Sequence, residues 1–289
     1  MSGTDTTALR ERAAHWRTQV PAGLPPAGPD LMVALDIDGT LLSHDGELTA
    51  EVRAAVAELR DAAAHVVLAT GRSVQGTLPV ARQLGLSDVP AVCSNGAVCL
   101  ALAGGDYELT DVVTFDPGPT VRLLREEVPQ ALFAVEDLGR GFKVTAPFPM
   151  GELTGEVEVV SLEELVEAPA TRVTVRAPDL SSEDFHDLVQ RVGLHGVGYA
   201  VGWSAWLDIT PEGISKASAL EMLRERLGVE AGATVAIGDG GNDLEMLDWA
   251  AHGVAMGQAA PHVTAVADAV TATIEEDGAA VVLRALLAR

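Results

Sequence analysis

The chain has 289 residues, of which 48% are hydrophobic and 21% charged, enough for about two domains with a substantial apolar core. Asp and Glu total 42 against 19 Lys and Arg, so the formal net charge is −23. A field of this sign repels nucleic-acid backbones and anionic lipid, which argues against either as a partner. It also means that any phosphate site must supply its own local positive charge.

The sequence predicts a cytoplasmic protein. It has no run of about 18 apolar residues that could span a membrane, and its first 20 residues lack the apolar core of a secretion signal. The two cysteines, Cys93 and Cys99, allow no disulfide framework beyond that one pair, and we expect reduced core thiols. The sequence indicates a monomer or a small homo-oligomer and does not specify which.

The N-terminal segment, residues 1–30, is predicted to be an extension followed by a linker. Leu9, Ala13, Trp16 and Val20 would share one face of a helix, which favours a short helix packed on the body of the protein. Residues 23–30 (GLPPAGPD) have the composition of a linker.

Alternating strands and helices are predicted from residue 31 onward. Short apolar runs predict buried strands, and amphipathic segments between them predict helices: strands at 31–35, 65–69 and 90–94, helices at 49–64 and 74–84. Thr49 is the expected N-cap of the first of these helices. This order is typical of a parallel sheet covered by helices on both faces.

The pattern changes in the middle of the chain. A hairpin is predicted around Gly104-Gly105, and after it strands and helices mix without a sustained order, among them a strand at 171–178 and a helix capped by Ser181. The first pattern then resumes: a helix at 215–227, strands at 234–238 and 253–257, and a closing helix at 277–287. We therefore predict an α/β fold, a Rossmann-like doubly wound parallel sheet core over 31–115 and 207–289 with an inserted α/β cap domain at 116–206.

Polar residues follow the first two predicted strands. Asp36 and Asp38 stand where the first strand ends, in the run DIDGT, and Thr70-Gly71-Arg72 follows the second. Strand ends of a parallel sheet bind ligands, and a hydroxyl with backbone N–H groups at a helix start binds anions. Taken singly, the two motifs could also be an Asp-capped turn and an ordinary N-cap.

Two further motifs lie in the second half of the chain. Lys216 is one of only two lysines and stands at a predicted helix start, where a compact ammonium suits a phosphate oxygen or a carboxylate. In the run GDGGND (238–243), Asp239 would sit at a strand end and Asp243 one turn into the following helix. Carboxylates that converge at strand ends need a cation, and Mg²⁺ prefers oxygen ligands. Zinc is not expected, because the seven histidines show no paired spacing.

The set DIDGT, TGR, Lys216 and GDGGND resembles the four motifs of the haloacid dehalogenase superfamily, with the order and spacing of its phosphatases. The large insert, the segment SNGA (94–97) and the tail beginning VAMGQA resemble the Cof-type subfamily with a large α/β cap. The resemblance runs from Leu31 to Leu287 and is weakest in the cap. One departure is Gln258, where many relatives carry Asn.

The resemblance implies roles for the catalytic residues. Asp36 would attack phosphorus and become an aspartyl-phosphate, and Asp38 would protonate the leaving alcohol and then deprotonate water. Lys216 would neutralise the nucleophile and the transferring group.

The resemblance also implies the binding residues. Thr70, Gly71 and Asn242 would bind the phosphoryl group. The expected Mg²⁺ site draws on four acidic residues: Asp36, Asp38, Asp239 and Asp243. Asp38 would contribute its backbone carbonyl, and Asp243 would orient Lys216 or a metal-bound water.

Substrate specificity is expected to reside in the cap. Two predicted loops offer candidates: 136–143 with Arg140 and Lys143 as anion or hydroxyl contacts, and 202–206 with Trp203 and Trp206 as stacking surfaces for a sugar or base. For each of these residues, packing or solvent exposure is an equally open interpretation.

The function predicted from the sequence is that of a Mg²⁺-dependent phosphatase acting on small phosphorylated metabolites, with sugar phosphates as the expected class. Two alternatives stay open at this point. One is a phosphomutase of the same superfamily, which would isomerise its substrate and release little phosphate. The other is a non-catalytic ligand-binding protein that keeps the fold.

Overall fold

The protein is described here from a computed structural model that covers residues 6–43, 45–201 and 205–288. The strands are β1 Met32–Leu35, β2 His65–Ala69, β3 Pro90–Cys93, β4 Val98–Ala103, β5 Asp106–Val112, β6 Leu132–Asp137, β7 Gly141–Val144, β8 Glu156–Val159, β9 Val173–Arg176, β10 Val197–Val201, β11 Trp206–Pro211, β12 Thr234–Gly238, β13 His252–Ala255 and β14 Ala269–Val270. The helices are α1 Thr6–Trp16, α2 Ala50–Asp61, α3 Val74–Gln83, α4 Gly118–Glu127, α5 Leu162–Leu165, α6 Ser182–Val192, α7 Lys216–Leu227, α8 Leu244–Trp249, α9 Pro261–Thr264 and α10 Gly278–Leu287.

The first sheet has eight strands in the order β14-β13-β12-β1-β2-β3-β4-β5. Its strands run parallel from β14 to β3, and β4 and β5 extend one edge as an antiparallel hairpin. The chain leaves β1 on one side and returns as β12 on the other. The topological switch point therefore lies between β1 and β12, where open α/β sheets bind ligands.

The four central strands of the first sheet, β12, β1, β2 and β3, are buried on both faces, which explains why they are mainly apolar rather than alternating, whereas the edge strand β5 is polar and largely exposed. In β1, Val33 and Leu35 belong to one hydrophobic cluster, whereas Met32 and Ala34 belong to the other. Helices α2, α3 and α10 cover the first face, and α7 and α8 cover the second. The predicted doubly wound α/β sheet is confirmed.

The predicted helix starts are also confirmed. Thr49 Oγ1 accepts the Val52 N–H at 3.2 Å at the start of α2, and Ser181 Oγ accepts the Asp184 N–H at 3.0 Å at the start of α6. Such caps satisfy backbone donors that a helix start leaves without intrahelical partners.

The second sheet has six strands in the order β10-β11-β9-β6-β7-β8. Helices α4 and α6 cover one of its faces, with Phe133 and Phe185 among the buried contacts. By the alternation of side chains along a strand, the opposite face carries Glu136, Trp206 and Asp208, and this face lines a cleft. Strand β11 spans the predicted boundary at 206/207, and the division into domains stays a prediction.

The N-terminal helix packs on the body as its sequence pattern predicts. Leu9, Ala13, Trp16 and Val20 are all buried, and Arg12 forms an ion pair of 2.7 Å with Glu276 near the C-terminus. Among the described residues, no helix combines the length and the hydropathy needed to cross a bilayer.

Candidate active site

Three carboxylates meet at the switch point of the first sheet. Asp36 follows β1, its backbone N–H donates to Ile237 O at 3.0 Å, and Asp239 follows β12. Oxygens of Asp36, Asp239 and Asp243 lie within 4.8 Å of one another, and all three residues are buried. The structure thus brings together acids that are some 200 positions apart in the sequence. Oxygen donors at this spacing suit a hard divalent cation such as Mg²⁺.

The position of Asp243 relative to the following helix differs from the one predicted from the sequence. A 3₁₀ turn spans Gly241–Asp243, and α8 begins only at Leu244, so Asp243 precedes the helix instead of lying one turn inside it. In this position its Oδ2 accepts the backbone N–H groups of Asp239 and Gly240 at 3.0 and 2.9 Å. Asp243 therefore holds the loop that presents Asp239.

Lys216 provides the positive charge of the cluster. It is the first residue of α7, where Ser215 and Ser218 cap the helix reciprocally, and its side chain is fully buried. Its Nζ donates to Asp36 Oδ1 at 2.7 Å and to Asp243 Oδ1 at 2.6 Å. One ammonium thus faces three carboxylates, which leaves the cluster with excess negative charge.

The pKa values show this imbalance. Burial raises the pKa of Asp36 well above 3.8, repulsion by Asp243 and Asp239 raises it further, and Lys216 lowers it only in part. Burial by itself would lower the pKa of Lys216, but Asp243 and Asp36 together outweigh burial and raise it. The positive charge of Lys216 therefore stabilises the ionised form of Asp36 only in part.

The backbone at Gly39 passes close to Asp239. A Cβ on Gly39 would overlap the carboxylate of Asp239, and the residue has a φ of +79°. We expect Gly39→Ala to displace Asp239 and to lower the activity of the site at least tenfold, beyond the ~1–2 kcal/mol of stability that a left-handed alanine costs. Gly46→Ala is the matched control, because Gly46 has a φ of +77° and its added Cβ would meet no described residue within 4 Å. Activity assays and melting temperatures of the two variants test this, and equal activities would contradict it.

Asp38 lies at the mouth of the cleft. Its carboxylate is more than half exposed and is paired with Arg72 through two hydrogen bonds, Nε to Oδ2 at 2.8 Å and Nη2 to Oδ1 at 2.6 Å. The hydrogen bond to Asp38 raises the pKa of Arg72 in spite of its partial burial. The Asp38 carboxylate is not part of the buried cluster of Asp36, Asp239 and Asp243. Arg72 belongs to the motif TGR, but no role in the site is predicted for it from the sequence.

Thr70, Gly71 and Asn242 line the same cleft, together with Asn95, which sequence analysis did not single out. Asn242 Nδ2 donates to Asn95 Oδ1 at 3.0 Å, and a Cβ on Gly71 would meet that same oxygen at 3.0 Å. Thr70 Oγ1 accepts the backbone N–H of Arg72 at 3.1 Å. The signal for Asn95 was the segment SNGA, in which its φ of +53° turns the chain toward the cleft.

Gln258 uses both ends of its amide. Nε2 donates to Gly39 O at 2.6 Å, and Oε1 accepts the Ile274 N–H at 3.0 Å. It therefore ties the loop after β1 to the C-terminal segment, so the Gln at this position has a well-defined structural role.

The cleft between the two sheets has a volume of about 580 Å³. From the first sheet side it is lined by Asp36, Asp38 and the polar residues described above. From the second it is lined by Phe142, Glu152, Arg172, Trp206 and Asp208. The two sheets contact each other around it. Arg172 Nη1 donates to Gly71 O, Ser94 Oγ donates to Glu136 Oε2, and Gln75 Nε2 donates to Gly139 O at 2.6 Å.

The predicted specificity loops need correction. Residues 136–143 are a hairpin, because β6 continues to Asp137 and β7 begins at Gly141. Arg140 is two-thirds exposed and pairs with Glu156 at 3.1 Å, and neither it nor Lys143 lines the cleft. Of the two tryptophans, Trp206 lines the cleft, whereas Trp203 lies outside the described residues.

Comparisons with known proteins agree on one family. A family model described as haloacid dehalogenase-like hydrolase matches residues 33–115 and 159–283. A pyridoxal phosphate phosphatase of Escherichia coli is 30% identical over 260 residues, which cover 83% of this chain and 92% of the relative. A 5-amino-6-(5-phospho-D-ribitylamino)uracil phosphatase of Bacillus subtilis is 28% identical, covering 86% of this chain and 94% of the relative. A solved HAD subclass IIB sugar phosphatase superposes with a TM-score of 0.74 at 26% identity, covering 86% of this chain and 96% of that one.

Proposed function

The chain belongs to the haloacid dehalogenase-like hydrolases, as a Cof-type phosphoric monoester hydrolase, and on that premise we propose that it is a Mg²⁺-dependent phosphatase of small metabolites that uses Asp36 as its nucleophile. The observation that carries the proposal is the buried cluster of Asp36, Asp239 and Asp243 around Lys216. Sugar phosphates are the expected substrates, because a structural neighbour with this fold is a sugar phosphatase.

The residues fit a bound magnesium ion. Asp36, Asp239, the backbone carbonyl of Asp38 and, directly or through water, Asp243 would hold it, and all of these offer the oxygen atoms that Mg²⁺ prefers. The excess negative charge of the cluster also calls for a cation beyond Lys216. When bound, the ion supplies charge neutralisation for the phosphoryl oxygens and for the ionised form of Asp36.

The proposed reaction has two steps. Asp36 attacks phosphorus as the ester P–O bond breaks. Asp38, which must first leave its ion pair with Arg72 and take up a proton from solvent, gives that proton to the departing alcohol oxygen. Asp38, now a carboxylate, takes a proton from a water molecule that attacks phosphorus, which releases phosphate and restores Asp36. Acid–base help of this kind is worth ~10²–10⁴ in rate.

The remaining residues position the phosphoryl group. Lys216 holds one Asp36 oxygen at 2.7 Å and so fixes the carboxylate for in-line attack. The Thr70 hydroxyl, the Gly71 backbone and the Asn242 amide line the cleft beside it and offer donors to phosphoryl oxygens. Phosphoryl transfer depends mainly on such positioning and on charge neutralisation.

Magnesium binding should stabilise the folded protein. At 100 times its dissociation constant the ion adds ~2.7 kcal/mol of unfolding free energy, because it binds the native cluster and not the unfolded chain. We expect a rise of several degrees in melting temperature, which Asp239→Asn removes. Asp248→Asn is the control, since Asp248 is an exposed acid on α8. Equal magnesium responses of the two variants would contradict the site.

The function itself is tested by phosphate release from a panel of phosphate monoesters with magnesium and with a chelator. The proposal expects release from several esters only when magnesium is present. Isomerisation of a sugar phosphate with little phosphate release would instead indicate a phosphomutase.

A further inference from the structure

The second sheet presents one wall to the cleft, opposite the carboxylate cluster. We call this wall the cap wall and define it by five lining residues: Phe142, Glu152, Arg172, Trp206 and Asp208. Since a phosphate bound near Asp36 directs the rest of the ester outward, the cap wall is the surface that meets the alcohol part of the substrate.

The one arginine of the cap wall, Arg172, already has partners within the protein. Arg172 is buried, its Nη1 donates to Gly71 O and lies 3.8 Å from Asp208 Oδ2, and its guanidinium sits 5.4 Å from the centre of the Phe142 ring. Its Nε is buried and has no hydrogen-bond partner among the described residues. A lone guanidinium that already has a backbone carbonyl and a carboxylate beside it is a weak site for a second phosphate or carboxylate, which are bound by bidentate or clustered cations.

The next cation behind the wall is also paired. Arg176 Nε donates to Glu152 Oε1 at 3.2 Å, and its Nη1 donates to Ala205 O at 3.3 Å. Residues 202–204, outside the described residues, are Gly, Trp and Ser and carry no charge. Among the described residues, the positive charges of Arg172 and Arg176 are therefore neutralised by the carboxylates of Asp208 and Glu152.

Glu152 leaves one acceptor for a ligand. Its Oε2 is buried and has no hydrogen-bond partner among the residues that the structure describes. A buried acceptor without a donor costs ~1–3 kcal/mol, so an incoming hydroxyl or N–H group would be favoured there. Asp208 is less available, because its Oδ1 already accepts from Thr174 Oγ1 at 2.7 Å.

Two aromatic rings complete the wall. Trp206 packs edge-to-face against Phe148, with ring centroids 6.2 Å apart, which holds its indole in place, and Phe142 lies beneath Arg172. Such flat apolar surfaces suit the face of a sugar or heterocyclic ring.

We propose that the substrate is a phosphate monoester whose alcohol is an uncharged ring or polyol with hydroxyl or N–H donors and no second anionic group, and that Glu152 selects it. This inference rests on the proposed phosphatase function. It also disfavours a phosphomutase, whose bisphosphate intermediate needs an uncommitted cation facing the second phosphate.

The test compares kcat/KM for esters that differ in the alcohol part. Fructose 6-phosphate and pyridoxine 5′-phosphate represent polyol and heterocyclic alcohols, fructose 1,6-bisphosphate and 6-phosphogluconate add an anion, and phenyl phosphate offers no donor. We expect kcat/KM for the better of fructose 6-phosphate and pyridoxine 5′-phosphate to exceed kcat/KM for each of the two doubly anionic esters at least tenfold. Which of the two uncharged alcohols is preferred shows whether the site favours a polyol or a heterocycle.

Glu152→Gln provides the second arm. It should lower kcat/KM for the preferred ester about tenfold, as expected for one hydrogen bond to a charged group, and lower it clearly less for phenyl phosphate, whose alcohol offers no donor. Glu156→Gln is the matched control, because Glu156 lies on β8 of the same sheet, three-quarters exposed and outside the cleft. Glu152→Lys should reverse the preference toward 6-phosphogluconate.

The outcomes separate the two proposals. Hydrolysis of phenyl phosphate together with a preference for doubly anionic esters, or an equal loss for all esters in Glu152→Gln, would overturn the inference alone. Failure of every ester in the presence of magnesium would overturn the phosphatase function and the inference with it.

Discussion

Asp36→Asn is expected to abolish phosphate release, by at least ~10⁴-fold, because the substitution removes the atom that attacks phosphorus. The same variant should not destabilise the metal-free protein. The folded-state pKa of Asp36 is raised, so stability from this group is present below the unfolded pKa of 3.8 and is lost as the pH rises through the folded value. An amide cannot ionise and escapes that loss, while Lys216 keeps its hydrogen bond to Asp243 at 2.6 Å.

The measurement is turnover of the preferred ester with magnesium, combined with melting temperatures in a chelator at neutral pH. Asp45→Asn serves as the control, because Asp45 is an exposed acid shortly after the same loop. Activity close to that of the wild type would remove Asp36 from the chemistry. A marked drop in the metal-free melting temperature would show that ionised Asp36 contributes to stability, contrary to the direction of its pKa.

Lys216→Met should be the most destabilising of the proposed substitutions. It leaves the carboxylates of Asp36 and Asp243 buried without their ammonium, at a cost of ~3–5 kcal/mol. The raised pKa of Lys216 means that its stabilisation is present below 10.5 and is lost only as the pH rises above that value, so the full loss is expected at neutral pH.

Lys143→Met is the natural control, since the chain has only these two lysines and Lys143 is only partly buried, on β7. Denaturant unfolding in a chelator at pH 7 measures both variants. Excess magnesium should restore part of the stability of Lys216→Met, because a bound cation would replace the missing charge. Equal stability of the two variants would show that the ammonium is not what balances the cluster.

The core of the site was predictable because its signals are local. An apolar strand that ends in acids, as at Asp36 and Asp239, indicates both a strand end and an unmet need for a cation, and parallel topology brings such ends to one edge. The N-caps Thr49 and Ser181 are likewise set by neighbouring backbone groups.

The cap side could not be derived in the same way. The hairpin at 136–143, predicted as a loop, depends on the pairing of β6 with β7 and β9, which the local sequence does not specify. Arg172 has no motif around it, and only the packing of one sheet against the other brings it to Gly71. The pair between Arg72 and Asp38 also joins residues 34 positions apart, which neither motif reveals alone.

The most direct test is to quench the enzyme with acid during turnover of an ester labelled with radioactive phosphate. Peptide mapping of the quenched protein should place the label on the peptide that contains Asp36, with no label in Asp36→Asn. A fully active enzyme that shows no protein-bound label in rapid-quench experiments, or label on a different residue, would contradict covalent catalysis by Asp36.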